Sequence, residues 1–267
     1  MLPLHLFRNA RFTGAGLTTT VLFFALSGVV FLNSQILQIV LGYSPLAAGV
    51  RALPSAAALA IFSPLGATLA KRAGTLAPVA LGLAAVTGGL ALFATATAAS
   101  GYGHYILAMV IVCAGIGLAM SAATSASMQE LPPAMAGVGS AVNDTTRNMG
   151  SVLGVAVMGS IAASVFGSRM AHLGHGTTAS VGAAVAAAHR AGGAYGASML
   201  HDAASAFVTG ADRAVLAGAI ATLVGLLIAF RTLRAARPAP QVTAEEPAEA
   251  LVAAEASAEA LAGAVRG

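Results

Sequence analysis

Between Arg11 and Arg51 the chain carries no Asp, Glu, Lys or Arg, and the same is true from Ala73 to Gln129. Soluble domains use roughly 25% charged residues to cover their surface; here the figure is 8%, against 58% hydrophobic. A water-facing exterior cannot be assembled from such a chain, so it is read as an all-α integral membrane protein. The basic residues sit mainly where apolar runs end, a pattern suited to anionic lipid headgroups rather than to nucleic acid. Cys113 is the single cysteine, which rules out a disulfide framework.

A hydrocarbon layer of about 30 Å needs about 20 residues of helix, and on that measure the sequence divides into six transmembrane helices. They are expected near residues 12–41, 46–70, 76–98, 105–128, 134–166 and 214–230. The GYSP turn separates the first two, and Pro54 and Pro64 interrupt the second. Residues 1–11 form a cytoplasmic N-terminus in this scheme. Residues 167–213, polar and rich in small residues, read as an extracytoplasmic loop with an amphipathic stretch (Met199, Leu200, Ala203, Phe207) lying at the interface. The Ala/Pro/Glu-rich tail, residues 235–267, has the composition of a disordered segment.

An even number of spans puts both ends on one side. That side would collect Arg8, Arg11, Lys71, Arg72, Arg231, Arg234 and Arg237, so the positive-inside rule makes both termini cytoplasmic. The expected location is the plasma (inner) membrane, multi-pass.

The fifth span carries AGVGSAVNDTTRNMG, which places Asn143, Asp144 and Arg147 inside an otherwise apolar run. A helical wheel groups Ser140, Asp144, Arg147, Ser151, Gly154 and Met158 on one side, with Gly137 and Asn148 flanking. Val138, Val142, Met149, Val152 and Leu153 fall on the other, which suits lipid tails. A charge at the centre of a spanning helix costs about 2.5–3.5 kcal/mol on insertion scales. Asp144 and Arg147 are close enough on one face to offset each other. Three roles remain open for them: an ion pair that fixes packing or gates a mouth, a proton relay through Asp144, and direct contact with substrate. Gly150 and Gly154 have the GxxxG spacing that allows close helix approach.

AGVGSAVNDTTRNMG followed by SVLGVAVMGSI resembles the penultimate helix of the fourteen-helix drug:proton antiporters of the major facilitator superfamily. LQIVLGYSPLAAGVRALP resembles the junction between the first two helices of that family's C-terminal half. ATLAKRAG is similar to the superfamily's cytoplasmic loop motif, GxLaDrxG. Leu69, Ala70, Arg72 and Gly74 fit it, while Ala67 and Lys71 stand in place of its glycine and aspartate. The resemblance runs to about Arg234 and matches only the C-terminal six-helix half-bundle of such a transporter. It implies proton-coupled multidrug efflux of small apolar or cationic compounds, with a missing N-terminal half or a second copy as partner. The loop-motif positions are Lys71, Arg72 and Gly74. Met1 falls where family members have an internal position, so a truncated product, non-transporting or serving in assembly, is the alternative.

On the first span Thr20, Phe24, Ser27, Phe31, Ser34, Gln35 and Gln38 share one direction at helical spacing. Hydroxyls, amides and aromatic rings in one stripe suit a largely apolar ligand with a few polar anchors; the competing reading is glue between helices. Met109, Met120, Thr124 and Met128 on the fourth span read as packing, and Arg51 as an interface anchor that snorkels. His172 with His175, or His201 with Asp202, lacks further ligands for a metal site. No nucleophile–base pair, phosphate loop or CxxC is present, so neither enzyme chemistry nor a cofactor is expected.

Overall fold

The charge-free stretches fold into helices that satisfy their own polar groups, as apolar surroundings require. Thr18 and Thr19, both buried, donate to the carbonyls of Gly14 and Ala15 one turn back, at 2.8 and 3.0 Å. The same bond recurs from Thr87 to Leu83, at 2.9 Å. The Thr87 hydroxyl also lies 2.9 Å from that of Thr222 on another helix, a hydroxyl pair of the kind that joins spanning helices. Thr222→Val should lower stability by about 0.6 kcal/mol, the average for such contacts. A thermal denaturation series in detergent would read this as a small downward shift.

The computed structural model describes residues 10–129, 136–172 and 180–234. Helix α1 (Ala10–Gln35) ends in a π turn, Ile36–Val40, where the Leu41 amide donates to the Ile36 carbonyl at 3.0 Å. Gly42 then turns the chain at φ +68°, a conformation open to glycine. The Ser44 hydroxyl caps the next helix by accepting from the Ala47 amide at 3.2 Å. Short α2 (Pro45–Arg51) and α3 (Leu53–Ala73) follow. Pro54 at the start of α3 accounts for the break at Ala52, because proline withholds the amide that would continue the helix. Gly74 turns at φ +79° into α4 (Leu76–Phe93), and α5 (Tyr102–Gln129), α6 (Ala136–His172), α7 (Val181–Ala191) and α8 (Gly193–Arg234) complete the order.

Helix α1 packs along α6 and α8, α3 along α5, and α4 along both α5 and α8. The interior is apolar, with Leu22, Val29, Leu32, Leu83, Leu90 and Ile116 fully enclosed. Among the described residues six helical stretches are long and apolar enough to cross a membrane: Phe12–Val40, Pro45–Ala73, Leu76–Phe93, Tyr102–Ala126, Gly137–Ala171 and Gly193–Thr232. Helices α2 and α3 together supply the second of these. The architecture is the all-α membrane protein expected.

The main difference from the sequence reading concerns residues 167–213. Helix α6 continues to His172, and α8 starts at Gly193 and runs unbroken for 42 residues, where a loop and a short span of residues 214–230 were expected. The reason is packing. Ala203, Ala206, Phe207, Ala211, Ala214 and Val215 recur at helical spacing and are buried. Small side chains bring the helices together, although His201, Asp202, Asp212 and Arg213 lower the local hydropathy. Met199, Ala203 and Phe207 therefore join the core, with Phe207 edge-on to Phe166 at 6.5 Å, and are not an interfacial strip. The N-terminal residues 1–9 and the tail, residues 235–267, lie outside the described residues.

Candidate functional site

The seam between α1 and α6 is set by two glycines. A Cβ at Gly150 would meet the Thr20 carbonyl and one at Gly154 the Phe24 carbonyl, so the helix backbones touch. Met158 continues the seam, buried against Gly28. This is the close approach that the GxxxG spacing allows.

Nearer the N-terminal ends of the two helices the seam opens into a cavity of about 180 Å³. Phe12, Gly16, Leu17 and Thr20 of α1 face Val142, Asn143 and Thr146 of α6 across it. The Thr20 hydroxyl donates to the Gly16 carbonyl at 3.1 Å and Thr146 to Val142. Two of the sequence-derived candidates, Thr20 and Asn143, are thus brought together on one apolar cleft. Val142, assigned by the wheel to lipid, faces the cavity instead.

Asp144 and Arg147 do form a pair, with Arg147 Nη1 4.0 Å from Asp144 Oδ1. The contact is long and open: the side chains are 66% and 38% exposed, respectively. The Arg147 guanidinium also lies over the Phe23 ring, 4.6 Å from its centroid, so α1 holds the cation through a π face. Asp144 instead joins Ser140 and Asn148 on an exposed polar strip with half-buried Ser151 at its edge. The opposite flank, with Met149, Val152 and Leu153, is exposed and apolar, as lipid contact requires.

The α1 stripe spans two environments. Phe24 and Ser27 are half-buried beside α6, while Phe31 is exposed, its ring resting against Gly159. Further along, Gln38 in the π turn is exposed and donates to the Ser34 hydroxyl at 2.9 Å; Ser34 and Gln35 are half-buried. The seven residues do not converge on one pocket among the described residues. They form a face.

Lys71 and Arg72 are exposed in the last turn of α3, and Gly74 makes the turn that follows. Cations there favour the negative end of the helix dipole. At the other end of the bundle Arg51 is tied down rather than snorkelling. Its guanidinium stacks on Tyr43 at 4.0 Å and stands 6.0 Å from Tyr102, whose hydroxyl donates to the Arg51 carbonyl at 2.7 Å. Met109 is in the core and Met120 packs against it; the Met128, His172 and His175 side chains lie outside the described residues. Sequence reasoning missed Asn33, Tyr105 and Asp212, each of which carries a buried oxygen without a hydrogen-bond partner.

The sequence profile described as Major Facilitator Superfamily matches residues 2–155, more than half of the chain. The chain belongs to the major facilitator superfamily. Among its relatives in that superfamily, the multidrug efflux pump LfrA of Mycolicibacterium smegmatis is 32% identical over 86% of this chain and 48% of its own length. The multidrug resistance protein Stp of Mycobacterium tuberculosis is 35% identical over 61% of this chain and 30% of its own length. The tetracenomycin C resistance and export protein of Streptomyces glaucescens is 28% identical over 62% of this chain. The chain thus spans less than half the length of the first two. A crystal structure of a bacterial homolog of the human lysosomal transporter Spinster, inward-facing and occupied, superposes with a TM-score of 0.67 over 87% of this chain and 51% of that one. At 18% identity that likeness concerns the fold alone.

Proposed function

We propose that the chain is the C-terminal six-helix half of a fourteen-helix, proton-coupled multidrug transporter of this superfamily. It would export small apolar or cationic compounds across the plasma membrane together with a complementary half or a second copy. Both termini would face the cytoplasm, with Lys71, Arg72 and Gly74 at the inner surface. The observation that carries the reading is the exposed polar strip near the start of α6, Ser140, Asp144 and Asn148, with the exposed Phe31 and Gln38 of α1 several turns further along the bundle. Hydrocarbon is a costly neighbour for an open carboxylate. A water-filled cavity between two halves, the arrangement secondary transporters use, is not. The α1 stripe would contact substrate there. Asn143, Asp144 and Arg147 would gate or couple at the cytoplasmic mouth. The superfamily and the names of LfrA and Stp support efflux; the partial coverage of those relatives supports the need for a second half.

The test is reconstitution in cells that lack their own pumps. Expressed with a complementary N-terminal half, the chain should lower accumulation of a cationic dye such as ethidium, and a protonophore should abolish the effect. Asp144→Asn and Arg147→Gln should each cut efflux by at least about tenfold, equivalent to about 1.4 kcal/mol, at unchanged membrane abundance. Their coupling should be small, about 0.3–0.5 kcal/mol, as for exposed pairs on one helix. Efflux by the chain alone would contradict the requirement for a partner. Silence with every complementary half would leave the alternative, a non-transporting membrane fragment.

A further inference from the structure

Asn33 Oδ1 on α1, the Tyr105 hydroxyl on α5 and Asp212 Oδ1 on α8 are enclosed without hydrogen-bond partners. They belong to one level of the bundle. Gly14 sits against Thr232 and Val21 against Gly225. Helices α1 and α8 therefore run antiparallel, one residue up for one residue down, and Asp212 falls at the height of Asn33 and Ser34. The contacts of Thr87 with Thr222 and of Leu90 with Gly218 continue along α4 to the same height near Ala96. There Phe93 meets Tyr105 edge-on at 5.2 Å. The Asp212 carboxylate acts electrostatically on the Tyr105 phenol.

The surroundings contain no buried cation among the described residues. Helix α4 and the described side chains of α1 include no charged residue. Arg169 of α6, His189 and Arg190 of α7, and His201 and Arg213 of α8 are all exposed, and Asp202 is half-buried with an interaction of its own. Arg147 and Asp144 of α6 are near its other end. On α5, His104 stands edge-on to Tyr105 at 5.9 Å, with Nε2 2.9 Å from the Leu92 carbonyl.

The carboxylate has no charge to balance it. Asn33 and Tyr105 bring amide and phenol dipoles, with a single phenol O–H, and no cation. A buried carboxylate without a cation is unfavourable, and one added hydrogen removes its charge. We infer that Asp212 is a proton-binding site inside the bundle, positioned by Tyr105 and Asn33. In the charged form the Tyr105 hydroxyl, unpartnered in the structure, turns to donate to the carboxylate. When a proton arrives from solvent it adds to a carboxylate oxygen, and the new acid O–H donates to Asn33 Oδ1 or to the phenol oxygen. Release reverses both steps, and no other bond changes. The site is separate from Asp144 and deepens the coupling proposed above, yet its test needs no transport.

Infrared difference spectra between pH steps, recorded on the detergent-purified 267-residue chain, read the site directly. Expected is the carbonyl band of a protonated carboxylic acid that titrates with pH, is absent in Asp212→Asn, and shifts in frequency in Tyr105→Phe and Asn33→Ala. Asp212→Glu, which keeps an acid, should retain a displaced band and serves if the amide variant fails to fold. Identical spectra from wild type and Asp212→Asn would overturn the assignment. So would a band insensitive to Tyr105→Phe, or one that responds to sodium at fixed pH and so marks a metal-cation site.

Discussion

Gly154→Leu is expected to be among the most damaging single changes in the chain, costing about 3 kcal/mol or more, at or beyond the upper end for overpacked interiors. The obstruction is main chain: a side chain at residue 154 would run into the Phe24 carbonyl, with the Phe24 Cα 2.9 Å from its first atom. A flexible side chain could swing aside; the body of α1 cannot. The helices would have to separate along a seam that Gly150 and Met158 share. Gly137→Leu, on the same helix but opening into empty space, is the control and should change little. Thermal denaturation in detergent, with the monodisperse fraction on size exclusion, separates them. A Gly154→Leu protein as stable as wild type would contradict the close α1–α6 contact.

The second large effect is expected at the α4–α5 seam, where the glycines are reciprocal. A Cβ on Gly115 would lie 2.5 Å from the Gly82 carbonyl oxygen and 2.9 Å from the Val86 amide, and one on Gly82 would meet the Gly115 carbonyl. Gly115→Leu should again cost about 3 kcal/mol. Gly82→Leu should cost nearly as much. The double variant should fall well short of the sum, because the first substitution already parts the helices that the second would obstruct. Gly88→Leu, also on α4 but facing open space, is the matched control. Strict additivity would mean that the two glycines do not share one contact.

The helical membrane architecture was legible because hydrocarbon selects so strongly against charge: the blank intervals from Arg11 to Arg51 and from Ala73 to Gln129 became spanning helices. The Gly150–Gly154 spacing was legible too, since only small residues let backbones touch. Hydropathy failed in the first half of α8, where His201, Asp202, Asp212 and Arg213 lower the average while Ala203, Ala206 and Ala211 bury themselves. A search for small residues at helical spacing would have found that helix, and with it Asp212 as an acid inside the bundle. The wheel of α6 was right that Met149, Val152 and Leu153 face outwards. It merged two faces at Asp144 and Gly154, because a side chain that is small for packing and one that is polar for water look alike on a hydropathy scale. Nothing in the pattern marks the π turn at Ile36–Val40.

The lengths of α4 and α8 give the molecule a lever. From Thr222, where α8 is bonded to Thr87, α8 continues to Gly193 for about 44 Å at 1.5 Å per residue, whereas α4 ends at Phe93 after about 9 Å. The longer arm carries α7 against it. The arm is clamped midway to α6, by Phe207 against Phe166 and Gly210 against Ala162. Any movement is thereby confined to the turns beyond, where α7 takes over from α6 as its support.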